Sequence, residues 1–127
     1  MGPTNMSCTL PAAAASVSRA RHRVVDLLHA NGCPEDRVDE AALMTTELAA
    51  NAVEHARTPF TVMVEVSADR LRVDVRDGSR AMPVVSSANS DTSIGGRGLW
   101  LVAAFADRWG CEPVESGKTV WFESANL

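Results

Sequence analysis

The sequence has few of the features that mark membrane, secreted or nucleic-acid-binding proteins. Nowhere among its 127 residues is there an apolar run of about 18 residues, so no membrane span is expected. The run Ala12–Ala15 has no basic segment before it and no long apolar stretch, so a secretory signal is not expected either. The net charge of -4 argues against general nucleic-acid binding, which needs a basic surface.

Cysteine is scarce, and catalytic or metal-binding spacings of cysteine and histidine are missing. The three cysteines, Cys8, Cys33 and Cys111, are odd in number and include no C-x-x-C pair. They indicate reduced thiols in a cytoplasmic protein and argue against a disulfide framework. No Cys/His spacing of a zinc site and no Ser-His-Asp set is suggested by the sequence.

What is present is the composition of one globular domain. Apolar residues make up 46% of the chain and charged residues 22%, which separates it from disordered proteins. A chain of this length has room for a single core. We therefore expect a disordered N-terminus over residues 1–6 and one domain over residues 7–124.

The hydrophobic pattern predicts an α+β fold. Apolar residues recur at helical spacing in some segments and alternate with polar residues in others. The segment 78–94 shows neither pattern, and its length suggests a lid or binding loop. We expect a two-layer sandwich with a mostly antiparallel sheet covered on one face by helices. The predicted elements are a strand at 7–10, helices over 16–29 (with Ser16 as N-cap) and 36–56, strands over 60–66 and 71–77, a helix over 99–105, and strands over 108–113 and 118–123.

The second helix carries three polar residues at intervals of four, in the stretch ELAANAVEH. At 100° per residue, Glu47, Asn51 and His55 fall within an arc of about 80°. One interpretation is the solvated side of an amphipathic helix. The other is a carboxylate base beside a Mg²⁺ ligand, because amide and carboxylate oxygens suit that ion. His55 is the weakest of the three, since a helix C-terminus favours an imidazolium whatever the function.

Asp77 continues the parity of the inward-facing residues of its strand, so its side chain is predicted to point to the buried face. A buried carboxylate without a donor costs several kcal/mol, which implies a partner. That partner is either an exocyclic amine of a ligand or backbone N–H groups of the turn that follows.

The glycine-rich stretch Gly95-Gly96-Arg97-Gly98 precedes a predicted helix. Backbone N–H groups and the helix dipole favour anions there, and Arg97 adds a cation suited to phosphate. The stretch is neither a P-loop nor a dinucleotide fingerprint, because the required lysine and glycine spacings are missing. A simple turn is the alternative interpretation.

Taken in order, these features resemble a known ATP-binding module. The segments MTTELAANAVEHA, LRVDVRDGS, GGRGLWLV and GKTVWFE are similar to those of the Bergerat or GHKL family, which includes DNA gyrase, the large heat-shock chaperone, sensor histidine kinases and MutL proteins. They resemble most the small bacterial anti-sigma-factor serine kinases and their histidine-kinase-like ATPase relatives. The resemblance runs from about Ser7 to Glu123.

The resemblance implies a role for each matching residue. Glu47 corresponds to the acid that polarises the attacking hydroxyl or water, and Asn51 to the Mg²⁺ ligand. Asp77 corresponds to the acid that accepts from the adenine amine. His55 receives at most a phosphate-side or structural role. The other positions matched to ATP contacts are Gly78, Gly96, Arg97, Gly98, Leu99 and Thr119, with Thr119 expected close to the adenine pocket.

One departure from the family pattern is visible. The first glycine box of the broader family reads D-x-G-x-G, whereas this chain has Asp77-Gly78-Ser79-Arg80-Ala81. The missing glycines affect the backbone around the adenine pocket and the hinge of the lid.

Three functions follow from the resemblance and the departure. The first is a cytoplasmic ATP- and Mg²⁺-dependent serine/threonine kinase of the anti-sigma type, which binds a sigma factor and phosphorylates a STAS-type antagonist, with a homodimer as the candidate assembly. The second is a nucleotide-gated protein-binding module without phosphoryl transfer. The third is an adaptor with a vestigial pocket. No direct contact with nucleic acid or membrane is expected of any of them.

Overall fold

The structure, a computed structural model, describes residues 5–81 and 94–125, and the side chains of all of these except 94–98. Its strands and helices follow the predicted order. They are β1 (Asn5–Leu10), α1 (Ala14–Ala30), α2 (Glu35–Asn51) with a π-helical turn (Ala52–Ala56), β2 (Phe60–Val66), β3 (Arg70–Asp77), α3 (Ile94–Phe105), β4 (Arg108–Val114) and β5 (Gly117–Ala125).

The five strands form one antiparallel sheet in the order β1-β2-β3-β5-β4. One face of the sheet is apolar and is covered by the helices, with α2 packed between α1 and α3. The predicted α+β sandwich is thereby confirmed. The fully buried side chains that join the two layers include Val24, Leu28, Met44, Leu48, Val62, Leu71, Val73, Val75 and Phe122.

The structure begins the first strand and the first helix earlier than predicted. Strand β1 begins at Asn5, inside the segment expected to be disordered, because Asn5 and Met6 pair with Glu65 and Val64. Ser16 is not the N-cap: it lies inside α1 and is buried, and the helix begins at Ala14. Residues 1–4 lie outside the described part of the chain.

Two later helices also differ from the prediction. The second helix extends to Ala56 as predicted, but its last turn, Ala52–Ala56, is π-helical. The next residue, Arg57, caps it in the left-handed region with a φ of 58°. Helix α3 begins at Ile94, so the glycine-rich stretch forms its first turn and does not precede it. The expected lid falls largely on residues 82–93, which the structure does not describe.

The outer face of the sheet is polar and internally paired. Arg72 donates to Asp74 at 2.9 Å and to Glu123 at 3.2 Å, and its guanidinium lies 4.2 Å from the centroid of the Trp121 ring. The hydrogen bonds to Asp74 raise the pKa of Arg72. Arg72, Asp74 and Glu123 thus form a connected group of paired charges on this face.

No helix among residues 5–81 and 94–125 combines the length and the apolar composition that crossing a membrane requires.

The pairing of β3 with β5 depends on the absence of a side chain at Gly117. A Cβ at this position would lie 1.8 Å from the Asp77 carbonyl oxygen and 2.9 Å from the Gly78 Cα. These are backbone atoms, so they cannot swing aside as a flexible side chain would. Gly117 therefore sets how closely the start of β5 approaches the end of β3.

We predict that Gly117→Ala lowers the free energy of unfolding by about 1–3 kcal/mol, because the methyl group must push two strands apart. Chemical denaturation measures the change. Ser116→Ala, at the exposed neighbouring position, should stay within about 0.5 kcal/mol of wild type. Equal stability of Gly117→Ala and wild type would contradict this strand pairing.

Candidate nucleotide-binding site

Asp77 is the last residue of β3 and points to the inner face, as its parity predicts. It is only 5% exposed. Directly opposite on β5 lies Lys118, whose ammonium Nζ is 3.0 Å from Asp77 Oδ2 and 3.1 Å from Oδ1. Both side chains are 3% exposed. A carboxylate and an ammonium are thus buried together, and each supplies the charge that the other needs.

The turn after Asp77 supplies the second partner. The backbone N–H of Ser79 donates to Asp77 Oδ1 at 2.9 Å, which is one of the two partners that the sequence left open. The backbone N–H of Gly78 donates to the Thr58 hydroxyl at 2.8 Å. The start of the turn is therefore held to the chain segment that leaves the second helix.

The positions that depart from the family glycine box are anchored by contacts of their own. Lys118 Nζ approaches the Ser79 carbonyl oxygen at 3.5 Å. The Arg80 guanidinium donates to the carbonyl oxygens of Val114, the last residue of β4, and Glu115, the first residue of the turn to β5. At Ser79, where the broader family has a glycine, the Lys118 side chain thus holds the backbone against β5, and Arg80 ties the next residue to the β4–β5 turn.

Helix α2 brings Glu47 and Asn51 to one face, four residues apart. Asn51 is 6% exposed, and Glu47 is half-buried with its Oε2 oxygen fully buried. A solvated helix face would leave both exposed, so the structure disfavours that interpretation. The opposite positions predicted to face the core are all buried: Val38, Ala41, Thr45, Leu48 and Ala52.

His55 does not share this environment. It lies in the π-helical turn, where the α-helical spacing has ended, and its side chain is exposed. π-helical turns are often found at functional sites, but here the buried polar residue is Asn51, just before the turn.

The chain path brings α2 and Asp77 to the same end of the sheet. After the π-helical turn the chain passes Thr58, which binds Gly78, and enters β2, whose first residue Phe60 pairs with Asp77. Asn51 therefore lies a short way along the chain from a segment hydrogen-bonded to the Asp77 turn.

The first turn of helix α3 lies toward the same end of the sheet. Its last residue, Phe105, leads into β4, and Arg108 of β4 pairs with Glu123 at the end of the sheet away from Asp77. The glycine-rich first turn consequently starts from the Asp77 side. Within it, Gly96, Arg97 and Gly98 are helical in backbone, and the following Leu99 is buried in the core.

The strand residue expected near the adenine pocket is placed differently. Thr119 is buried on the outer face of the sheet and accepts a hydrogen bond from Arg76 at 3.4 Å. Its neighbour Lys118 is the residue that faces Asp77. The alternation in β5 carried the signal, since Lys118 shares parity with Val120 and Phe122.

Cys111 lies near this pair on β4. Burial raises the pKa of its thiol, the Lys118 ammonium lowers it to a smaller extent, and the Asp77 carboxylate raises it again. A thiol with a raised pKa stays protonated at neutral pH, so Cys111 is not an activated nucleophile.

A cavity of about 360 Å³ exists elsewhere, on the outer face of the sheet. Its lining includes Arg72 and Asp74, which already bind each other. Because Arg72 and Asp74 already bind each other, it is a weaker candidate for a ligand site than the Asp77 end.

Comparison with known proteins gives a family. A model of the histidine kinase-like ATPase domain matches residues 10–123, which is most of the chain. The chain belongs to this family. No curated protein sequence matches it.

The fold of this ATPase domain is also found among solved structures. The crystal structure of the RsbU and RsbW domains of Rv1364c from Mycobacterium tuberculosis superimposes with a TM-score of 0.77 at 16% sequence identity. The match covers 98% of this chain and 33% of that one, so the chain spans about a third of that structure's length. At this identity the likeness establishes the fold.

Membership of an ATPase domain family implies ATP as the ligand, and the residues present fit it at the phosphate end. Asn51 offers a buried amide oxygen, a ligand type that Mg²⁺ accepts. Glycines in a first helical turn allow close approach of phosphate oxygens. Asp77, which the resemblance matches to the acceptor of the adenine amine, is buried, and its carboxylate oxygens also lie against the Lys118 ammonium.

We predict that Thr58→Val accelerates hydrogen exchange at the Gly78 amide about tenfold, because this amide loses its acceptor. Exchange measured by NMR reports that single amide. Thr58→Ser keeps the hydroxyl and should leave the rate near that of wild type. Equal rates in the valine and serine variants would contradict the connection between the second helix and the Asp77 turn.

Proposed function

We propose that this chain is an ATP- and Mg²⁺-dependent protein serine/threonine kinase that acts as an anti-sigma factor. The observation that carries the proposal is the arrangement of Glu47 and Asn51 on one face of α2, at the end of the sheet where Asp77 is buried. Neighbouring elements thus supply a candidate general base (Glu47), a candidate metal ligand (Asn51) and a candidate acceptor for the adenine amine (Asp77). The resemblance of their segments to the small anti-sigma kinases supports the regulatory role.

In this proposal each residue has one task. The Glu47 carboxylate accepts the proton of the attacking serine or threonine hydroxyl. Asn51 holds the metal ion through its amide oxygen, and Asp77 accepts a hydrogen bond from the adenine amine. Gly96, Arg97 and Gly98 contact the phosphates.

The Mg²⁺ ion, when bound, neutralises phosphate charge during transfer. The chain itself contributes mainly by positioning, since phosphoryl transfer needs little covalent chemistry from the protein. The half-buried setting of Glu47 suits a base that must be shielded from bulk water while still reaching a protein substrate.

The partners in this proposal are a sigma factor and a STAS-type antagonist protein, which carries the phosphorylated hydroxyl. The setting is the cytoplasm, where sigma factors act, and a homodimer is the proposed assembly. These proposals rest on the resemblance, and the Rv1364c structure, which contains an RsbW domain, agrees with them in fold.

A second function is favoured by a specific observation. The turn after Asp77, in which Ser79 stands where the broader family has a glycine, is fixed to β5 by Lys118 and to the β4–β5 turn by Arg80. A turn anchored in this way beside the proposed nucleotide suits a nucleotide-gated binding module that holds its partner without phosphoryl transfer. Nucleotide-dependent partner binding without a phosphoprotein would favour this second function.

We predict that labelled ATP transfers its γ-phosphate to a STAS-type antagonist and that Glu47→Ala slows transfer about 10²–10⁴-fold, as expected for a lost base. Glu54→Ala is the matched control, because it removes an exposed carboxylate from the same segment and should leave the rate unchanged. Equal rates in wild type and Glu47→Ala would contradict the kinase proposal.

We also predict that saturating Mg-ATP stabilises the protein by about 2.7 kcal/mol at 100 times its Kd. In Asn51→Ala, or after the metal is removed with EDTA, most of this gain should disappear, since the phosphates lose their bridging ion. The readout is the ligand-induced gain in thermal unfolding, so a change in basal stability does not affect it. The same gain with and without Asn51 would exclude it as the metal ligand.

A further inference from the structure

Lys118 is the single lysine of the chain, and its ammonium is buried against the residue assigned to base recognition. Eleven arginines carry the remaining positive side-chain charge. A buried charge is costly unless it is paired, so the placement of this cation beside Asp77 demands an explanation.

The acceptor sites of Asp77 are largely used within the chain itself. Oδ1 accepts from the Ser79 backbone N–H at 2.9 Å and from Lys118 Nζ at 3.1 Å, and Oδ2 accepts from Nζ at 3.0 Å. A carboxylate has about four acceptor sites, so a ligand amine would approach an oxygen already engaged by a cation.

The Lys118 ammonium is a stronger donor to Asp77 than the amine of a bound adenine would be. A hydrogen bond from an ammonium to a carboxylate is charge-assisted and about twice as strong as one between neutral groups. The amine of adenine is a neutral donor. Lys118 is moreover tethered by β5, and the close approach at Gly117 keeps it directly opposite Asp77. It therefore competes at a high effective concentration.

We propose that Lys118 is an internal competitor for the base-recognition carboxylate and so determines how strongly the site reads the base. This inference rests on the proposed ATP site. Lys118 acts through Asp77 and is a specificity-determining residue, not a catalytic one. Binding in the wild-type protein then depends mainly on the phosphates and ribose, while the 6-amino group of adenine adds little.

A second contact couples the same ammonium to the chain beyond the site. Lys118 Nζ lies 3.5 Å from the Ser79 carbonyl oxygen, at the start of the segment that leads toward residues 82–93. The same ammonium thus contacts both the Asp77 carboxylate and the backbone of the turn that follows it.

The test compares ATP with purine riboside triphosphate, which lacks only the 6-amino group, by calorimetric titration in the presence of Mg²⁺. In wild type we expect the two dissociation constants to differ by less than about threefold. In Lys118→Met, which keeps the bulk and removes the charge, ATP should bind about tenfold more tightly and the ratio should rise to about tenfold.

Arg76→Met is the matched control. Arg76 lies beside Asp77 on β3, but its side chain is on the outer face and binds Thr119. Arg76→Met changes the net charge by the same amount as Lys118→Met. Because the lost cation lies on the other face of the sheet, both dissociation constants should stay unchanged.

Loss of Lys118 leaves a carboxylate buried with less compensation, and Lys118→Met can fail to fold. Lys118→Gln keeps a neutral donor and should give a ratio between those of wild type and Lys118→Met. If neither variant folds, the wild-type ratio decides: below about threefold the proposal stands, and above that it fails.

The outcomes separate the two proposals. A ratio that is equal in wild type and Lys118→Met, or larger in wild type, overturns the competitor role while leaving ATP binding intact. Weaker ATP binding by Lys118→Met also overturns the competitor role, because the lysine would then help to bind ATP. If neither protein binds any triphosphate, the proposed ATP site itself fails, and the role of Lys118 fails with it.

Discussion

The candidate site depends on a buried ion pair between two strands that are far apart in the sequence. Asp77 and Lys118 stand opposite each other where β3 ends and β5 begins, and both are almost inaccessible to solvent. The pair requires the exact strand separation that Gly117 allows. Asp77 also accepts from the Ser79 N–H, and the intervening Gly78 N–H donates to the Thr58 hydroxyl just after the second helix. A connected set of contacts thus joins the ion pair to the end of that helix. The geometry around the proposed base-recognition residue is therefore a property of strand pairing.

The two ends of the proposed nucleotide site differ in character. At the phosphate end, the second helix presents a buried amide and a half-buried carboxylate, Asn51 and Glu47, and α3 starts with glycines. At the base end, the acceptor is already engaged by a cation of the protein. This asymmetry suits a site that holds a metal–triphosphate firmly and reads the base weakly. In the proposed function, it would separate the residues that carry out phosphoryl transfer from those that select the nucleotide.

The sequence predicted more of the fold than of the site. Period-2 alternation was sufficient to find the strands and the inward direction of Asp77, because one face of the sheet is buried. The resemblance predicts Thr119 close to the adenine pocket, but a shift of one residue along a strand reverses the face, and it is Lys118 that faces Asp77. The pairing with Asp77 joins distant segments, which local patterns do not reveal. The π-helical turn was equally hidden, since apolar spacing does not distinguish it from a last α-helical turn.

The most direct test of the account uses the fact that Lys118 is the single lysine. In protein labelled with ¹⁵N-lysine, NMR should show one side-chain ammonium resonance, protected from exchange by its burial against Asp77. The account predicts that Mg-ATP shifts this resonance in a saturable way, and that Asp77→Asn abolishes its protection. ATP binding that leaves the resonance unchanged would contradict a nucleotide site at the Asp77–Lys118 pair.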